Sequence, residues 1–123
     1  MTSKRAEDTE DLHFRVLQIL QNRPETSQRE LAEILGVSNG KLHYCMRALI
    51  EKGLVKLDNF AQSRRRLRYA YLLTPSGVAQ KAVLASRFLK RKMAEYEALQ
   101  VEIATLQSEI GRAERRSFTN AVN

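Results

Sequence analysis

The sequence predicts a mainly α-helical chain with one small β-hairpin, followed by a long C-terminal coiled-coil helix. Three observations predict it. Between residues 12 and 50 apolar residues recur every three or four positions, interrupted by turn residues, as in short amphipathic helices. At residues 54–57 and again at 67–73 the period drops to two, as in strands. From residue 78 to 110 no breaker interrupts an alternation of four- and three-residue apolar steps.

Leu12, Val16, Ile19 and Leu20 mark the first helix; Asp8 or Thr9 caps its start. Pro24 ends it, because proline has no N–H for the helical ladder. Ser27-Gln28-Arg29-Glu30 reads as a capping box that opens a second helix with Leu31, Ile34 and Leu35 on its apolar face. Gly36 stops that helix, as a residue tolerant of positive φ does. Ser38 caps a third helix, striped by Leu42, Cys45, Met46, Leu49 and Ile50 and ended at Gly53. Residues 54–57 form a short strand, 59–66 a polar, basic loop, and 67–73 a return strand carrying Tyr69 and Tyr71. Thr74-Pro75 starts the last helix, with threonine as cap and proline at the first helical position, where its missing N–H costs nothing. Its seam runs Ala85, Leu89, Lys92, Tyr96, Leu99, Ile103, Leu106, Ile110 and Ala113. The expected division is a head at 8–77, a C-terminal helix at 78–114 and a flexible tail at 115–123.

At 123 residues the chain is one domain's worth, which excludes a large α/β enzyme or barrel. Its 43% hydrophobic and 28% charged residues describe a globular protein rather than a disordered one. No run of about 18 apolar residues is present to span a membrane. Residues 1–11 are polar and lack the apolar core of a signal peptide, so a cytoplasmic location is expected. The single cysteine, Cys45, forms no internal disulfide and fits a reducing compartment. The net charge of +7 is concentrated: residues 1–60 hold nine basic and nine acidic side chains, whereas residues 61–92 hold nine basic and no acidic ones. A local excess of this kind suits a polyanion, nucleic acid before an anionic membrane surface.

Residues 27–47 have the layout of a helix-turn-helix. Ala32 is small where two helices cross, Gly36 makes the turn, and Leu31, Leu35, Val37, Leu42 and Cys45 face inward. Asn39, Gly40, His43, Tyr44 and Arg47 remain outside on the third helix. Of these, Asn39, His43, Tyr44 and Arg47 are suited to base edges in a major groove. Lys41, Gln28 and Arg29 are placed for phosphates, the latter two aided by the dipole at a helix N-terminus. A hairpin follows, with Ser63, Arg64, Arg65, Arg66 and Arg68 at or near its tip. That order is the winged helix-turn-helix, and arginines in a wing suit the negative potential of a narrow minor groove.

On these residues the chain resembles the MarR (multiple antibiotic resistance regulator) family over about residues 10–95. The stretches that carry the resemblance are Thr26-Ser27-Gln28-Arg29-Glu30-Leu31-Ala32, Leu49-Ile50-Glu51-Lys52-Gly53-Leu54-Val55 and Leu73-Thr74-Pro75-Ser76-Gly77. It is similar in particular to the small members associated with bacterial exopolysaccharide gene clusters. The resemblance implies a dimeric transcription factor that binds a pseudo-palindrome in double-stranded DNA.

The C-terminal seam points to a homodimer, with Leu89, Tyr96, Leu99, Ile103, Leu106 and Ile110 as its contacts; packing back on the chain's own first helix is the alternative. Glu95, Glu102 and Glu109 lie on one edge of the seam and Met93, Gln100 and Gln107 on the other. Parallel pairing sets Glu against Met or Gln and is favoured over antiparallel pairing, which sets Glu against Glu. No carboxylate pair, nucleophilic triad or phosphate loop is present, so no enzyme is expected. No cofactor is expected, and with His13 and His43 thirty residues apart, no metal. Cys45, on a packed face, reads as structural. The competing functional reading is a winged-helix module that docks another protein through the coiled coil; RNA binding is a third. The sequence names no small-molecule effector.

Overall fold

The computed structural model describes residues 4–63 and 66–122, with side chains described outside 59–69 and 122. The order is α1 (Lys4–Asn22), α2 (Gln28–Leu35), α3 (Asn39–Glu51), β1 (Val55–Ser63), β2 (Arg66–Leu73) and α4 (Pro75–Val122). The chain divides into two compact units, Met1–Phe88 and Leu89–Asn123, with α4 contributing to both.

The core of the first unit is apolar and contiguous. Val16, Leu17 and Leu20 of α1, Leu31 and Ala32 of α2, and Leu42, Cys45, Met46 and Leu49 of α3 are buried together with Val55 and Leu84. Phe14 stacks at a tilt on Phe88, ring centroids 5.1 Å apart, and the Arg15 guanidinium lies 5.5 Å from the Phe88 ring centre.

The turn chemistry fixes the helix directions. Ser27 Oγ accepts the Glu30 N–H at 3.1 Å and donates to Glu30 Oε1, closing the N-terminus of α2. Gly36 sits at φ 64°, and its N–H and that of Val37 donate back to Glu33 and Ala32, a Schellman ending that turns the chain into α3. Ser38 caps α3 by accepting the Lys41 N–H. Thr74 Oγ1 accepts the Gly77 N–H at 3.0 Å, so α4 begins at Pro75 as its sequence demands. Gly77 has a packing duty as well: a Cβ there would lie 2.0 Å from the Leu54 carbonyl oxygen.

Four expectations change. α1 begins at Lys4, ahead of Asp8 and Thr9, and Thr9 Oγ1 donates to the Arg5 carbonyl inside the helix. Ile34 and Ile50 are exposed. At about 100° per residue each falls some 90–110° from the centre of its helix's buried stripe. The strands run through the stretch read as a loop: β1 and β2 pair antiparallel from Val55↔Leu73 to Phe60↔Arg68, with an irregularity before Ser63↔Arg66. Leu57 is already half exposed, while Ala70, paired with Asp58 one step further along the hairpin, is buried. Finally, α4 continues to Val122, through the segment read as a tail.

Candidate nucleic-acid interface

α3 presents the outward set as its spacing requires. Asn39, His43, Tyr44 and Arg47 are all exposed, Tyr44 at 78%. The inward positions Leu42, Cys45, Met46 and Leu49 are buried, so the exposed face is held by the same helix that anchors the core. Arg47 meets Glu51 one turn on at 3.6 Å, both side chains largely exposed. A pair of that kind contributes little and leaves the guanidinium available to a base or phosphate. Lys41 is exposed and shares a shallow cleft of about 180 Å³ with Asp8 and Asp11 of α1. Arg29 is exposed at the start of α2.

Gln28, placed by the sequence for a phosphate, is half-buried and hydrogen-bonded within the DNA-free protein. Its Nε2 donates to the Tyr71 hydroxyl at 3.0 Å, and its Oε1 lies 3.2 Å from His43 Nδ1. Both ends of the amide are engaged inside the protein. Tyr71 is brought there by β2, whose Tyr71 N–H donates to the Pro24 carbonyl at 3.0 Å and ties the hairpin to the α1–α2 turn. The sequence placed Tyr71 on a strand but gave no sign of this contact, which joins residues 43 positions apart.

In the hairpin, Ser63 and Arg66 face each other in the register and Arg68 pairs with Phe60 along the backbone. Arg64 and Arg65 lie outside the described residues. Arg87, in the basic stretch, is drawn to Glu10 of α1 at 2.8 Å.

Cys45 is buried, and desolvation pushes its thiol up to about 11 against a smaller opposing pull from Lys52. It stays a protonated, packing thiol at neutral pH. Among the described residues no group of three or more His, Cys, Asp or Glu side chains is placed to hold a metal ion, and no helix is long and apolar enough to cross a membrane.

In the second unit, Leu89, Tyr96, Leu99, Ile103, Leu106 and Ile110 all lie on α4 and are 45–62% exposed. Lys92 pairs with Glu95 at 3.1 Å, and Gln100 donates to the Tyr96 hydroxyl at 3.0 Å.

A family model described as winged helix-turn-helix DNA-binding matches residues 9–56. No relative was found among curated protein sequences. Solved structures share the fold. A MarR/EmrR family transcriptional regulator from Acinetobacter is 19% identical, with a TM-score of 0.56 over 81% of this chain and 75% of its own. A variant of ZitR from Lactococcus lactis in its apo form is 18% identical, with a TM-score of 0.59 over 98% of this chain and 88% of its own. A point variant of MepR from S. aureus, bound to an oligodeoxyribonucleotide, is 21% identical, with a TM-score of 0.55 over 84% of this chain and 78% of its own. The fold is therefore a winged helix-turn-helix followed by a long C-terminal helix. The matching family model is a winged helix-turn-helix DNA-binding one, and one structural neighbour of the fold is a MarR/EmrR family transcriptional regulator.

Proposed function

We propose, from the fold shared with MarR-type regulators, that this protein is a cytoplasmic, homodimeric transcriptional regulator. It reads a pseudo-palindromic site in double-stranded DNA and represses by occupying a promoter. The observation that carries the reading is the exposed polar face of α3, with His43, Tyr44 and Arg47 outward and Leu42, Cys45 and Met46 locked in the core. A helix held this way presents one fixed set of donors and acceptors to a groove. The DNA-bound MepR variant, similar in fold, supports it.

Asn39, His43, Tyr44 and Arg47 read bases in this proposal. Arg29 and Lys41 contact phosphates, and Arg64, Arg65, Arg66 and Arg68, with Ser63, place the wing on the backbone or minor groove. The exposed α4 seam joins two copies and sets the spacing of two half-sites. The resemblance to exopolysaccharide-associated members extends the proposal to genes of that kind as targets.

Arg47→Ala tests the assignment. It is expected to cost about 1–3 kcal/mol of discrimination and to relax preference at one position in each half-site. Loss of one wing arginine is expected to weaken binding to all sequences and to reduce the salt slope by about one. Unchanged affinity and preference for Arg47→Ala, measured by fluorescence anisotropy on a set of duplexes, contradicts the reading helix.

A further inference from the structure

In the chain Tyr71–Gln28–His43 the orientation of the Gln28 amide decides where the His43 proton sits. The Gln28 amide nitrogen only donates, and it is directed at the Tyr71 hydroxyl, 3.0 Å away. The amide oxygen only accepts, and it is left facing His43 Nδ1 at 3.2 Å. A bond there requires the proton on Nδ1. Neutral His43 then has a bare Nε2, an acceptor, on an exposed side chain of the reading helix. In a major groove an acceptor is matched by the exocyclic amino group of adenine or cytosine and opposed by the N7 and O6 acceptors of guanine.

We propose that Gln28 is a positioning residue: with its amide nitrogen on the Tyr71 hydroxyl and its oxygen on His43, it holds His43 in the Nδ1–H form and makes His43 Nε2 select an amino-bearing base, adenine or cytosine, at one position of each half-site. This rests on the proposed function for its base-reading half; the tautomer half stands on the free protein. Tyr71 belongs to the wing's second strand and Gln28 to the start of α2, so the base preference of α3 is set from two other elements. The reversed amide would place a donor against Nδ1 and force the proton to Nε2, which gives the test its opposite outcome.

Long-range ¹H–¹⁵N correlation of the histidine rings, on the DNA-free protein at about pH 8 where histidine is ordinarily neutral, reads the tautomer. The expected wild-type pattern for His43 is a protonated Nδ1 and an unprotonated Nε2. Gln28→Ala is expected to shift the ring toward the Nε2–H form that free imidazole side chains favour. Gln28→Glu, an acceptor only, is expected to retain Nδ1–H. A wild-type ring protonated on Nε2, or one unaltered by Gln28→Ala, overturns the proposal whether or not the protein binds DNA.

Selection from a random duplex pool reads the consequence. The wild type and Gln28→Glu are expected to share an adenine or cytosine preference at one position. Gln28→Ala and His43→Ala are expected to lose about tenfold of it. Retention of that preference by Gln28→Ala overturns the positioning role while the regulator reading stands. A wild type with no duplex preference overturns the base-selecting half together with the proposed function, and the ring spectra still decide the tautomer.

Discussion

Up to Phe88 the chain buries or half-buries most of its described large apolar side chains; from Leu89 to Phe118 the described ones are exposed. Leu17, Leu31, Leu42 and Met46 are fully buried, whereas Leu99, Ile103 and Ile110 on α4 are 45–58% exposed. The helical pattern is equally regular in both stretches. In the first, three helices, a hairpin and the start of α4, through Leu84 and Phe88, supply one another with apolar surface, so the pattern is answered within the chain. In the second, one helix repeats a seam over about four heptads and has no facing element of its own unit, so the pattern asks for a second surface. Periodicity thus tells which face is apolar, and the count of elements in the unit tells whether that face is covered locally.

Breaking the first region has the largest expected effect. Leu42→Ala removes a fully buried side chain from the contact of α3 with the core. It is expected to cost about 2–5 kcal/mol of stability in chemical denaturation. That loss does not depend on the choice of partner.

Breaking the second region acts on association instead. Ile103→Asp places a charge in the seam proposed to join two copies of the chain. It is expected to raise the concentration for half-dissociation by roughly 100-fold or more, the equivalent of one lost aliphatic contact per chain. Sedimentation measures this, and the denaturation of the first unit is expected to be unchanged. An unaltered mass at every concentration contradicts the proposed role of the seam in self-association.

Gly77→Ala sharpens the contrast within α4, since only its beginning is packed tightly. The added methyl meets the Leu54 carbonyl, which is backbone and cannot swing aside. The expected cost is about 1–3 kcal/mol. Gly111→Ala, on the exposed part of the same helix, meets nothing closer than an arginine nitrogen at 3.7 Å and is expected to be neutral or stabilising in the same melt.

The smallest effect is a pH dependence confined to the first unit. Burial first and Lys52 second push His13 below its ordinary 6.5, with Glu10 pulling the other way. The unfolded chain therefore binds this proton more readily than the folded one, and stability present above about 6.5 is lost as the pH falls below it. Thermal melts between about pH 7 and pH 5 are expected to show the decline, and His13→Gln to flatten it.

Much of the fold was legible because single residues carry the turns. Ser27, Gly36, Ser38, Thr74 and Pro75 each mark a boundary by local chemistry, and each boundary lies where its residue places it. The exposed set of α3 was legible for the same reason, since 3.6 residues per turn separates Leu42 and Met46 from His43 and Arg47. What was hidden depended on distance in sequence. The contact between Gln28 and Tyr71 arises only once β2 docks on the α1–α2 turn. The length of the hairpin was hidden because residues 58–66 are mostly polar and show no apolar alternation in the sequence. The exposure of Ile34 and Ile50 was hidden because an apolar residue at the flank of a stripe looks like a member of it.

Selection of binding sites from a random duplex DNA pool at about 0.15 M salt tests the central claim most directly. An inverted repeat with half-sites one or two helical turns apart is the predicted result, as two α3 helices on one dimer require. A pool with no enriched sequence contradicts the regulator reading and favours a docking module or an RNA-binding one.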